Sequence, residues 1–243
     1  MSTPSADILR WGRERARTGR WRGEAEVAYL APVPSAPPPS AEFLRRCLDI
    51  LASRGYTRVV TAALSPLEQA GFLAAGFDVA ERLHLLALDL EGSLPSMSPG
   101  VPLVRARAAD RAAVLAVDAT AFSPFWRFDD AGLADALAAT PHTRWRVATP
   151  DRVGSDRRVL GYAICGRAAH QGYVQRLAVA PEAQGQGTGR RLLLDGLRWM
   201  RRRGVRRAVV NTQLGNDAAL ALYRAVGFRD DPTGLSVLAA GLR

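Results

Sequence analysis

The 243-residue chain contains no lysine, only two cysteines, Cys47 and Cys165, and only three histidines. Each shortage closes a class of function. Two cysteines cannot build a disulfide framework, and neither stands at metal-ligand spacing from His84, His142 or His170, so no metal site is expected. Both thiols read as small core residues. No apolar run reaches the ~18 residues that a membrane-spanning helix needs, and the opening stretch MSTPSADILRWGRERAR has no apolar signal core. No membrane association is expected, and the expected compartment is the cytoplasm. The dinucleotide pattern G-x-G-x-x-G and the Gly-Lys-Ser/Thr ending of nucleotide-triphosphate loops are missing as well.

The formal net charge is +10, and all of its basic side chains are arginine. Residues 1–100 hold 11 Arg and 11 acids, whereas residues 101–243 hold 22 Arg and 12 acids, so the whole excess lies in the second part. Abundant Ala, Arg, Gly and Pro without Lys is the mark of a GC-rich coding bias. No basic cluster is interleaved with stacking aromatics, so nucleic acid is not an expected partner.

At 48% hydrophobic residues the chain can bury sizeable cores. EGSLPSMSPGVP, residues 91–102, lacks periodicity and is rich in Gly, Ser and Pro, which predicts a linker at 91–100 between a segment 1–90 and a block 101–243. In that block the patterns predict helix near 108–118, helical turns near 130–139, and strands near 143–149, 158–166 and 172–179. A helix at 188–203, a strand at 206–213, a helix at 216–226 and a strand near 234–240 follow. Strands alternating with helices predict an α/β or α+β fold around a mixed sheet.

One turn in this block spends three glycines on alternate positions: Gln184-Gly185-Gln186-Gly187-Thr188-Gly189, between the strand YVQRLAV and an amphipathic helix. The first N–H groups of a helix have no intrahelical partner and its N-terminal end is positive, so a glycine loop leading into one is suited to phosphate. The stretch APVPSAPPPSAEFL, residues 31–44, lies 149 positions earlier and puts prolines where the later one has glycines. At that shift Leu44, Leu48, Arg54, Gly55, Arg58 and Val60 fall on Leu193, Leu197, Arg203, Gly204, Arg207 and Val209; at a shift of 151, FLAAGF (72–77) falls on YRAVGF (223–228). The first segment therefore reads as a degenerate, partial copy of the second.

The glycine loop, the strand LAVAP before it, and Asn216 to Phe228 in the form N-x-x-A-x-x-L-Y-x-x-x-G-F together resemble the GNAT superfamily of acyl-CoA-dependent N-acetyltransferases. The resemblance runs from about 145 to 230. It implies a mixed, mostly antiparallel sheet flanked by helices over 101–243, preceded by a partial GNAT-like α/β segment at 1–90 that serves packing, as an internal stand-in for a dimer partner within a monomer. It also implies an N-acetyltransferase that moves an acetyl group from acetyl-CoA to a primary amine of a small molecule by direct transfer, without metal. Acetylation of a protein or peptide, and non-catalytic acyl-CoA sensing, stand as alternatives.

By the same resemblance, main-chain N–H groups of Gln184, Gly185, Gln186, Gly187, Thr188 and Gly189 hold the CoA pyrophosphate, with charge from Arg190. Main-chain groups of Leu177 and Val179 pair with the pantetheine arm, and Asn216, also an N-cap by type, contacts CoA. Tyr223 donates the proton to the departing thiolate. Where many relatives carry a basic Glu, this strand has Gln175. Asp118, Asp129, Asp130 and His142 remain as bases by elimination. Phe125, Trp126, Asn211 and Gln213 are expected on the acceptor side.

Overall fold

The computed structural model describes residues 7–33, 36–150 and 157–242. The parts of the expected segments at 1–6, 34–35, 151–156 and 243 lie outside these. In chain order the elements are β1 (Asp7–Trp11), β2 (Glu14–Arg20), β3 (Val27–Pro32), α1 (Ala41–Ser53), β4 (Arg58–Thr61), α2 (Pro66–Ala74) and β5 (Asp78–Asp89). There follow β6 (Leu103–Arg105), α3 (Arg111–Ala121), α4 (Asp130–Ala138), β7 (His142–Ala148), β8 (Gly161–Ala168), β9 (Gln171–Val179), α5 (Thr188–Arg202), β10 (Arg207–Gln213), α6 (Asp217–Val226) and β11 (Arg229–Gly241). The fold is mixed α/β with mostly antiparallel strand pairing flanked by helices. Among the described residues no helix is long and apolar enough to cross a membrane.

The chain divides into two compact units. The first comprises Met1–Leu85, Thr212–Gly215 and Asp231–Arg243, and the second Leu86–Asn211 and Asn216–Asp230. In the first, β1, β2 and β3 form an antiparallel meander and β3 pairs in parallel with β4. Ala239 to Gly241 of β11 then pair antiparallel with β4. Helix α1 starts at Ser40, whose Oγ accepts from Phe43 N at 3.2 Å, and buries Phe43, Leu44, Cys47 and Leu51 at helical spacing. That stripe joins a core with Leu30, Val59, Phe72 and, from β11, Leu238.

In the second unit β6, β7, β8 and β9 form the meander, and β10 pairs in parallel with β9. Helix α5 buries Leu193, Leu194, Leu197 and Met200 against Val174, Tyr223 and Phe228. Leu86 and Leu90, from the end of β5 and just beyond it, belong to that core. A separate cluster holds Val114 and Val117 of α3, Leu133 of α4, and Tyr162 and Ile164 of β8. The Pro- and Ser-rich stretch after β5 lies along α5, held through its carbonyls. Arg201 donates to Gly92 O (3.1 Å), Arg198 to Pro95 O (3.0 Å), Arg190 to Ser96 O (2.9 Å), and Arg191 to Ser98 O and to Val101 O (3.2 Å).

Candidate functional site

The second unit contains a place where its sheet parts. The β9–β10 ladder pairs Gln171–Val174 with Arg207–Val210, yet β9 runs on to Val179 and β10 to Gln213. On the other side of β9 the register with β8 shifts at the same point. Ile164 opposes Arg176 and Cys165 opposes Val174, so Gln175 is an extra, bulged residue. A bulge bends its strand and strengthens the local twist, which accounts for the parting.

The strand beyond the bulge turns main-chain groups toward the gap. Ala180 N donates to Leu160 O at 2.9 Å, so by alternation Arg176 and Ala178 face β8 while Leu177 and Val179 face away from it. Val179 O receives the Gln184 side chain at 3.1 Å. The chain then passes through a 3-10 turn, Pro181–Ala183, into the glycine loop.

Gly185 and Gly187 both adopt left-handed backbone, at φ +72° and +77°, a region that carries a steric penalty for residues with a Cβ. Nothing lies within 4 Å of where a Cβ would sit on either, so the loop surface is open. Gln186 Nε2 braces the loop by donating to Glu182 O at 2.8 Å. Helix α5 begins at Thr188 with Gly187 as its N-cap, and no side chain caps it, in contrast to Ser40 on α1. Its first-turn N–H groups are thus left for an anion. These features fit a pyrophosphate at the loop and an extended amide-bearing arm along Leu177 and Val179.

Helix α6 is capped by Asn216, whose Oδ1 accepts from Ala219 N at 3.3 Å. Two turns on, Tyr223 is buried, with Phe228 5.8 Å away between ring centroids. Burial pushes the phenol pKa above its ordinary value, Cys165 adds to the rise, and Arg176 acts in the opposite sense. Cys165 and Arg176 flank the bulge, so the phenol stands in the field of the residues beside the parting strands. It keeps its proton at neutral pH, as a proton donor must. The two thiols are inert by comparison: burial pushes both Cys47 and Cys165 up to about 12.

On the acceptor side the structure separates the aromatic residues. The Arg176 Cζ lies over the rings of both Phe122 and Phe128, at 3.4 and 4.0 Å from their centroids. Phe125 and Trp126 are half-buried and meet edge to face at 5.2 Å. Asn211 is exposed on β10, and Gln213 falls in Thr212–Gly215, grouped with the first unit.

Of the bases reached by elimination, Asp118 is committed elsewhere. It is buried and accepts from Arg176 Nε (2.7 Å) and NH2 (2.8 Å), Phe128 N (2.7 Å) and the Tyr162 hydroxyl (2.5 Å). Asp129 Oδ1 caps α4 at Gly132 N (2.7 Å), Asp130 pairs with Arg111 (3.2 Å), and His142 is exposed at the start of β7. Glu182, the one glutamate after the Pro- and Ser-rich stretch, lies exposed on the 3-10 turn, 3.5 Å from Arg158. The bulge at Gln175 and the Arg176–Asp118–Tyr162 network were not foreseen. The available signal was Arg176 itself, a charge in the apolar phase of YVQRLAV, where Val174 and Ala178 are buried.

Residues 115–228 match the model of the Acetyltransferase (GNAT) family. The chain is similar to the mycothiol acetyltransferase of Amycolatopsis mediterranei (strain U-32), 31% identical over 211 residues, covering 76% of this chain and 65% of that one. The mycothiol acetyltransferase of Renibacterium salmoninarum is 32% identical over 166 residues, covering 63% and 49%. The chain thus spans half to two thirds of the length of these curated relatives. Among solved structures, a tandem GNAT protein from the clavulanic acid biosynthesis pathway superposes with a TM-score of 0.69 at 15% identity, covering 100% of this chain and 85% of that one, a likeness of fold.

Proposed function

We propose that this chain, whose residues 115–228 match the model of the Acetyltransferase (GNAT) family, transfers an acetyl group from acetyl-CoA to the primary amine of a small molecule. The observation that carries this reading is the parting of β9 from β10 at Val174, which turns Leu177 and Val179 toward a gap that leads to the open glycine loop. N–H groups of Gln184 to Gly189 would receive the pyrophosphate, that of Gln184 being shared with Pro181 O (3.2 Å), and Leu177 and Val179 would pair with the pantetheine arm. Arg190 sits in the first turn of α5 and adds positive charge, although one of its nitrogens is engaged by Ser96 O. Bound acetyl-CoA supplies an activated thioester.

The chain's own part is placement and proton supply. Tyr223, buried and protonated, donates to the leaving sulfur. Phe125, Trp126 and Asn211 border the acceptor side. The amine arrives neutral or loses its proton to water, since Gln175 cannot take one. Most of the acceleration comes from holding amine and thioester together and from preorganised hydrogen bonds.

The first segment reads as a degenerate repeat that contributes packing. Its helices α1 and α2 end at Gly55 and Gly76 in left-handed conformation, as α5 and α6 end at Gly204 and Gly227. Phe72, at the position of Tyr223, meets Phe77 at 5.2 Å, as Tyr223 meets Phe228. Pro37, Pro38 and Pro39 lack the donors of the glycine loop. A Cβ on Gly71 would collide with the Pro39 carbonyl, so the chain at Pro39 lies directly on α2. We infer one CoA site per chain from this, and read the protein as a cytoplasmic monomer.

A thiol-release assay across small amines, acetyl-free mycothiol and peptides tests the activity, with calorimetry for stoichiometry. Release that depends on a small amine, with one CoA bound per chain, is expected. Binding of acetyl-CoA with no amine acetylated would replace this reading with a sensor, and two CoA per chain would refute the single site and the degeneracy of the first segment.

A further inference from the structure

The segment between α3 and α4 carries Phe125 and Trp126, and one buried guanidinium holds it in place. Arg176 Nε and NH2 form a fork on Asp118, and the same NH2 donates to Trp126 O at 2.6 Å. Asp118 accepts from Phe128 N, and the Arg176 Cζ lies over the rings of Phe122 and Phe128. The segment is therefore gripped at Phe122, Trp126 and Phe128 by a side chain whose backbone sits next to the bulged Gln175. Tyr162, donating to Asp118 from β8, fixes the carboxylate from the opposite side.

Such a network is a poor means of adding stability. A buried ion pair often adds no more than an apolar pair of similar volume would. What a planar fork supplies, and an apolar residue or a lysine cannot, is simultaneous, directed bonding to a carboxylate and to a main-chain carbonyl. Phe122 and Phe128 are occupied by the chain's own cation, and Phe125 and Trp126 are the aromatics read as facing the acceptor. We propose that Arg176, with Asp118 as its counterion, is a positioning residue for the acceptor. It holds residues 122–128 in one conformation beside the bulge and so sets acceptor affinity without touching the acceptor or the CoA site. This rests on the acetyltransferase reading above.

The test uses the full chain carrying Arg176→Lys, together with the double variant Asp118→Asn, Arg176→Gln, which leaves no unpaired buried charge if the first fails to fold. Hydrogen exchange of the amides 122–128 should speed up by about tenfold or more in both variants, while exchange in the glycine loop and α5 stays as in the parent. CoA affinity by calorimetry should stay within about threefold, and KM for an amine accepted by the parent should rise by about tenfold or more with KM for acetyl-CoA unchanged. Unchanged exchange at 122–128, or donor and acceptor KM rising together, overturns the proposal. Should the parent acetylate no amine, the acetyltransferase reading fails, and the exchange measurement still decides whether Arg176 fixes the segment.

Discussion

Removing residues 86–100 should unfold the second unit even though every residue of the glycine loop and of α6 remains. Two fragments make the comparison, 86–243 and 101–243, and any disturbance from the detached residues 231–243 is common to both. Leu86 and Leu90 are 0% and 1% exposed and sit in one core with Tyr223, Val226 and Phe228. Loss of a buried leucine side chain costs about 2–5 kcal/mol, hence about 4–10 kcal/mol for the pair. A whole domain of this size has only about 5–15 kcal/mol to lose. The carbonyls of Gly92, Pro95, Ser96 and Ser98 that Arg201, Arg198, Arg190 and Arg191 engage disappear too, while Val101 O stays with Arg191; freed guanidinium groups regain water, so that part is small. Urea unfolding followed by circular dichroism should show a cooperative transition for 86–243 and a far weaker one, or none, for 101–243. In the intact chain Leu90→Ala alone should lower stability by about 2–5 kcal/mol. Equal midpoints for the two fragments would refute the assignment of these leucines to the second unit's core.

Tyr223→Phe should lower turnover by roughly 10²- to 10⁴-fold in a single-turnover assay with CoA affinity unchanged, since only the proton donor is lost; near-parental turnover removes the phenol from the mechanism. Gly189→Pro deletes one N–H in the first turn of α5, where proline is tolerated, so CoA binding should fall sharply in calorimetry while the melting temperature moves little; retained affinity would reduce the loop to a turn. Burial alone would raise the Asp195 carboxyl, but Arg144 (2.7 Å) and Arg146 (3.4 Å) outweigh it and hold its pKa below the ordinary value. Its contribution to stability is therefore present above about pH 4 and lost as pH falls further, and Asp195→Asn should flatten the acid limb of a stability–pH profile. Burial raises the Tyr223 and Tyr162 phenols, so stability should also decline as pH rises past about 10, with Tyr223→Phe reducing that decline.

The parts of this fold that could be read from sequence are those decided locally. Period-3.6 stripes located α5 and α6, alternation located β9, and the glycines marked a helix start. What escaped depends on partners distant in sequence. The bulge at Gln175 is a mismatch of register between two strands, and no single strand carries it. Asp118 stands in phase with Val114 and Val117 on α3, yet its meaning depends on Arg176, 58 positions later. The stretch 91–100 has a linker's composition, but Arg190, Arg198 and Arg201 project from one side of α5 and engage it. Composition reports flexibility of a chain in isolation, whereas four helical guanidinium groups decide where this one lies.

The two units satisfy their corresponding helix N-termini in different ways. Each unit has a strand, a loop, a helix and a parallel strand in that order. In the first, Ser40 caps α1 with its own hydroxyl and is held in turn by Glu14, whose Oε2 accepts from the Ser40 hydroxyl at 3.0 Å. The helix N-terminus is thereby satisfied internally, with a carboxylate already in the place an anion would take. In the second, Gly187 supplies neither hydroxyl nor Cβ, and the N–H groups it leaves uncapped are the feature a phosphate requires. Restoring glycines at 37–39 would therefore not by itself recreate an anion site. The Ser40 cap and Glu14 would still compete, so binding should emerge only when both are also removed.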